Sequence, residues 1–214
     1  VTPRRLPDRS SRTSLAAALC ACAICLAAPA CALAADESGS ASTQALDPAR
    51  SRADFEVKVL WLIGVHGRFG KVHGTVTVDR AQSSVIADAR IEVDTITMRN
   101  HTYEDWVKSD EFFDVRKYPQ IHFVSDPVPI VRFRDGGAIT GTLSVRGIDR
   151  KVTFELAPST CPESIASACP VEANGSIRRS DFGMKSRRGT LSDKVDLGFS
   201  IYVDKAIAGQ GQKQ

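Results

Sequence analysis

The chain has 214 residues, 43% hydrophobic and 25% charged, with a formal net charge of +3. That hydrophobic fraction and length support one domain with a sizeable core and argue against a wholly disordered chain. The excess of positive charge belongs to the first residues: setting aside 1–34 removes four of 28 basic and one of 25 acidic residues, leaving 24 of each. A balanced remainder carries no overall nucleic-acid footprint.

Arg4, Arg5, Arg9 and Arg12 form a basic start, followed by the uncharged, Ala- and Cys-rich run Leu15–Ala34, which ends in Ala32-Leu33-Ala34. This pattern predicts a cleavable secretory signal peptide over 1–34 and hence export to the periplasm. The leading Val predicts an alternative start codon and a bacterial chain. Residues 35–44 are polar and Ser-rich and read as a disordered linker; 206–214 read as a disordered tail. The folded domain is expected over 45–205.

Within that domain the dominant period is two. Phe55, Val57, Val59 and Trp61 alternate with Glu56 and Lys58, and Val76 and Val78 alternate with Thr75 and Thr77. Ile91 and Val93 flank Glu92, and further alternating runs cover 121–123, 139–145, 151–156, 172–177 and 195–203. Such alternation predicts strands with one buried and one wet face. Gly136-Gly137 and Gly147 read as hairpin signals. Asn100–Glu111 is the one helical pattern, with Tyr103, Trp106 and Val107 on one face, inserted between strands. The fold class expected is all-β, a sandwich or a barrel.

Cys20, Cys22, Cys25 and Cys31 fall in the leader, which leaves Cys161 and Cys169. An even pair in an oxidising compartment is expected to form a disulfide stapling its loop. Neither zinc ligation nor a thioredoxin-type redox pair suits the spacing.

Catalytic and metal constellations are sparse. His66 and His73 lie where a hairpin would bring them together, yet a third ligand is missing, and His101 and His122 read as solvated. The carboxylates Asp105, Asp110, Glu111 and Asp114 read as the polar face and cap of the helix. The basic cluster Arg178, Arg179, Lys185, Arg187 and Arg188 reads as a solvated hairpin tip, or alternatively as a site for anionic headgroups. No catalytic residue, metal or cofactor is assigned, and the chain is not expected to be an enzyme.

What remains is apolar. If the strands close, Phe55, Val57, Val59, Phe69, Val76, Ile91, Val93, Phe123, Leu143, Phe154, Leu197 and Phe199 face inward. They either pack a core or line a cavity, because both give one hydrophobic pattern. Gly74, Ala89, Gly141 and Gly175 on the same face hint at unfilled room, or else mark bends.

Three blocks in order narrow the choice. They are Ser109–Ser125 with its Phe112-Phe113 pair and Tyr118-Pro119 turn, Ile139–Phe154, and Arg179-Ser-Asp-Phe-Gly-Met184 followed by Leu191-Ser-Asp-Lys-Val195. Together they resemble the YceI family of secreted bacterial lipid-binding proteins over roughly Ala45–Asp204. The resemblance implies a lipocalin-like antiparallel β-barrel of about eight strands with one short helix. It also implies a polyisoprenoid or related long-chain, fatty-acid-like lipid held inside for sequestration or transport. Transient membrane-surface contact and homodimerisation are the other expected associations. The alternative is an envelope interaction module with a filled barrel and no ligand. The family's histidines are replaced here: Asp47-Pro48 is followed by Ala49-Arg50-Ser51, Val59 ends the next strand, and Trp106 stands in Tyr103-Glu-Asp-Trp-Val107 where His is usual.

Overall fold

The computed structural model describes residues 41–159, 161 and 169–204. The expected signal peptide and C-terminal tail lie outside these residues. Strand β1 (Ala41–Ala45) and β2 (Arg52–Val59) are two segments of one long strand, bent at 46–51. β3 (Ile63–Phe69) and β4 (Val72–Asp79) repeat the device, bent at Gly70-Lys71. β5 (Ser84–Glu92) runs through a 3₁₀ turn at Val93–Thr95 into β6 (Ile96–Met98). β1 pairs with β4 and β2 with β3, and on the far edge β4 pairs with β5 and β3 with β6, so each bent strand is paired along both segments.

Helix α1 (His101–Lys108) follows, then β7 (Gln120–Ser125), β8 (Val128–Pro129), the single turn α2 (Arg132–Asp135), β9 (Gly137–Val145), β10 (Ile148–Leu156), β11 (Val171–Arg178) and β12 (Leu191–Ile201). The order continues β5-β7-β9-β10-β11-β12 and returns to β2, every neighbour antiparallel. Counting each bent pair as one strand gives eight in a closed ring. Beyond β12 the closure is sealed by the Leu46–Val203 bridge and by Asp47 N–H donating to the Tyr202 carbonyl at 2.8 Å. Among the described residues, closure leaves no long exposed sheet edge. This is the all-β, lipocalin-like barrel.

α1 starts where Asn100 accepts a hydrogen bond from the Thr102 N–H at 2.8 Å, and it ends at Ser109, whose N–H and hydroxyl both return to the Trp106 carbonyl. It is therefore shorter than the Asn100–Glu111 pattern suggests. Several boundaries also differ from the sequence reading. Strand structure begins at Ala41, inside the expected linker, because Ala41–Ala45 has β4 to pair with. Trp61 does not continue β2: the chain reverses at Leu60-Trp61. Gly136 caps α2 with φ 80° instead of turning a hairpin, whereas Arg146-Gly147 is the two-residue turn between β9 and β10. Cys161 and Cys169 are joined as a disulfide, Cα to Cα 6.1 Å, in the β10–β11 connection.

Candidate functional site

The inner faces of the strands do not fill the barrel. An upper chamber of about 270 Å³ and a lower one of about 100 Å³ lie along it. Ile91, Leu143 and Phe199 line both, so these three side chains form a waist between them.

The alternating strands place most inward residues as their pattern predicts. Phe55, Val57, Val59, Phe69 and Leu197 line the upper chamber, and Val76, Phe123 and Phe154 the lower. Val93 lines neither. It sits in the 3₁₀ turn, 1% exposed, donating its N–H to the Pro119 carbonyl, and serves the packing beside the chambers. The strand period breaks at that turn, so the alternation from Ile91 no longer applies.

The glycines do not mark open room. A Cβ on Gly141 would lie 2.6 Å from the Phe123 ring, and one on Gly175 2.6 Å from the Phe154 ring. These glycines let aromatic rings lie flat against the wall. Gly74 lies at the close approach of two backbones, where a Cβ would meet the Asp88 carbonyl at 2.0 Å. Phe123, Phe154 and Phe199 then stack edge to face, with centroids 5.4 and 5.1 Å apart, and narrow the lower chamber.

The upper chamber is roofed by parts that are not strands. From α1 and the segment after it come Tyr103, Trp106, Val107, Phe112 and Phe113; from the β11–β12 connection come Arg179, Met184, Arg187 and Thr190. Sequence reading placed Tyr103, Trp106 and Val107 on one helix face but not over a cavity. Tyr103 and Trp106 stack with centroids 5.9 Å apart and are both exposed as well as lining the chamber, so they form its rim. The Arg187 guanidinium lies 3.9 Å from the Trp106 ring centroid and pairs with Glu111 at 3.0 Å. This arrangement clasps the helix to the β11–β12 connection by cation–π and ionic attraction. Trp106, standing at a usual family histidine position, thus supplies an aromatic rim held by an arginine.

Arg179 corrects the reading of a solvated basic tip. It is 3% exposed and donates to the carbonyls of Ser192, Met184, Ser186 and Leu191 at 2.7–3.4 Å. Burial pushes its pKa down, partly countered by Asp193. Asp193 accepts from the Ser180 N–H at 3.0 Å and hydroxyl at 2.7 Å. Burial acts to raise the Asp193 carboxyl, but these bonds and the charges of Arg179 and Arg188 outweigh it and hold its pKa below the ordinary value. The Arg179–Met184 and Leu191–Val195 blocks are thus one polar lock shaping the chamber wall.

The histidines do not converge. His66 and His73 occupy the two segments of a single bent strand instead of facing each other across a hairpin. His66 lies 3.9 Å from Glu56, His73 3.7 Å from Glu92, and His122 2.9 Å from Asp88. Among the described residues no three His, Cys, Asp or Glu side chains are grouped to hold a metal ion.

The YceI-like domain model matches residues 44–203. The chain belongs to the YceI family. Its curated relatives include Protein YceI of Escherichia coli, 31% identical over 156 residues, covering 69% of this chain and 78% of that protein. A Yersinia enterocolitica relative is 29% identical over 153 residues, with the same coverage. Burkholderia cenocepacia BcnA superposes with a TM-score of 0.62 at 24% identity, covering 73% of this chain and 98% of BcnA. A polyisoprenoid binding domain from Saccharophagus degradans, implicated in plant cell wall breakdown, gives 0.55 at 13% identity, covering 75% and 97%. At these identities the two structures establish a shared fold.

Proposed function

We propose that the chain is a binding protein, not an enzyme, which holds the tail of a polyisoprenoid or related long-chain amphiphile inside its barrel. It would do so in the periplasm, for sequestration or transport. The observation that carries this reading is the pair of apolar chambers adjoining at Ile91, Leu143 and Phe199, the upper one rimmed by Tyr103, Trp106 and Arg187. The fold shared with a polyisoprenoid binding domain supports it.

The walls offer burial, and burial is sufficient. Each methylene withdrawn from water contributes about 0.8 kcal/mol, so a prenyl segment binds without any reacting group. The upper chamber, at 270 Å³, lies just below the ~300–1,000 Å³ usual for small-molecule sites. A long chain must therefore pass the waist into the lower chamber or leave its head outside. Arg187 at the rim, stacked on Trp106 and paired with Glu111, would meet a polar or anionic head with its remaining N–H donors.

The test is native mass spectrometry of the protein purified from cells, followed by solvent extraction. A stoichiometric lipid of defined chain length is the expected result. An apo mass that also takes up no added isoprenoid would overturn the reading in favour of a filled barrel acting through its surface.

A further inference from the structure

The turn between β2 and β3 is occupied by residues that neither its backbone nor its exposure favours. Leu60 and Trp61 have φ of 49° and 64°, and the turn is closed by the Leu62 N–H donating to the Val59 carbonyl at 3.2 Å. Asn-Gly is the usual choice where two successive residues must take positive φ, because bulky side chains strain there. The β9–β10 turn respects the rule at its second position with Arg146-Gly147, at 54° and 69°. Here two large apolar side chains take the strained positions and two more follow. Leu60, Trp61, Leu62 and Ile63 are 55%, 63%, 88% and 59% exposed. Four consecutive exposed apolar residues are a fault in a soluble surface unless they serve a function.

The surroundings indicate what they serve. Exposed Lys58 precedes the tip. The Leu60 N–H donates to the Thr190 carbonyl at 2.7 Å, tying the tip to the segment that carries exposed Lys185, Arg187 and Arg188. Of the nearby acids, Glu111 is engaged by Arg187, Asp196 by Lys194, and Asp193 is bonded to Ser180 and faces Arg179 and Arg188. Exposed Asp181 shares the hollow beside Trp61 with Asp193 and Asp196 but also with Lys58, Arg150, Lys151, Arg178 and Lys194, so the hollow stays net basic. Val59, Arg187, Thr190 and Leu191 of the upper chamber begin one residue from the tip. An apolar prong, a basic collar and the rim of the cavity therefore share one end of the barrel.

We propose that the Leu60–Ile63 tip inserts into the surface of an anionic lipid bilayer. Lys58, Lys185 and Arg188 would lie against the headgroups, with the rim of the upper chamber set at the membrane. Apolar insertion combined with positive charge is the pairing that anionic bilayers select. A second copy of the chain fits less well, since a symmetric contact would oppose like basic collars. The docking gives the proposed lipid-binding role a route between bilayer and barrel, but it does not depend on what the barrel holds.

The experiment uses the full chain and vesicles of phosphatidylethanolamine and phosphatidylglycerol that contain no isoprenoid. Co-sedimentation is expected, weakened by high salt and by replacing the vesicles with neutral phosphatidylcholine. The double substitution Leu60→Asn, Trp61→Gly should raise Tm by relieving the turn while lowering vesicle partitioning by at least about tenfold. Leu62→Asp, at a residue without positive φ, should lower partitioning similarly with Tm unchanged. Isoprenoid uptake from detergent by these variants should match the parent, so a failed cargo reading and a failed docking reading are told apart. Partitioning of the variants equal to that of the parent would overturn the proposal. So would a parent that fails to sediment, or one whose tip instead drives a dimer abolished by Leu62→Asp.

Discussion

The two chambers of the barrel are built from different material. Mostly strand side chains meeting across the barrel make the lower chamber, with Phe133 of α2 beside them, and Phe123, Phe154 and Phe199 reduce it to about 100 Å³. The upper chamber, about 270 Å³, is held open by α1 and by the β11–β12 connection, which span its top without filling it. Strand faces left to themselves close up, as interiors generally do. A hole survives where non-strand segments are held at a distance by bonds of their own, above all those of Arg179.

The largest break in this comparison should come from that residue. Arg179→Ala leaves the carbonyls of Met184, Ser186, Leu191 and Ser192 without this buried donor. A loss of about 3 kcal/mol in unfolding free energy is expected, measured by denaturant titration. Binding of any apolar probe in the upper chamber should fall with it. A variant as stable as the parent would show that the lock does not hold the wall.

The waist gives the next effect. Phe199→Trp should obstruct the passage between chambers, so a chain long enough to need both loses about two buried methylenes, or roughly tenfold in affinity. A short chain confined to the upper chamber should bind nearly as before. Phe123→Trp enlarges a residue that lines the lower chamber alone and should weaken only the longest chains. Titration of a prenyl chain-length series against both variants reads the difference. Equal losses for short and long chains with Phe199→Trp would mean that the chambers do not act in sequence.

How much of this was legible in the sequence follows from the same contrast. Alternation in β2, β5, β9 and β12 disclosed the inward residues, because a strand exposes its period directly. The roof did not show itself: Tyr103, Trp106 and Val107 declare a helix face, but nothing local says that a cavity lies beneath it. Arg179 read as one more surface cation, since its four acceptors come from backbone at 184–192 and backbone carries no sequence pattern. Gly141 and Gly175 suggested empty space, whereas their neighbours Phe123 and Phe154 occupy it. The Leu60-Trp61 reversal was hidden because its residues oppose the turn they adopt, while Arg146-Gly147 was legible because Gly147 agrees with its turn.

The smallest effect separates the chambers by acid. Asp193, in the polar lock behind the upper wall, has its pKa held below the ordinary carboxylate value: burial opposes this, but its bonds from Ser180 and the positive charge of Arg179 and Arg188 prevail. A carboxyl depressed on folding adds stability above its unfolded pKa of about 3.9 and loses that contribution as pH falls through the folded value. The residues lining the lower chamber are all apolar and have nothing to titrate. Acid below about pH 4 should therefore loosen the upper wall first, seen as faster hydrogen exchange in 179–193 than in β9 and β10. Asp193→Asn should cost about 1 kcal/mol at neutral pH and flatten the acid limb of the stability curve. If exchange in both regions rises together, and to the same extent with Asp193→Asn as without it, the two chambers share one stability and the polar lock does not set the upper wall apart.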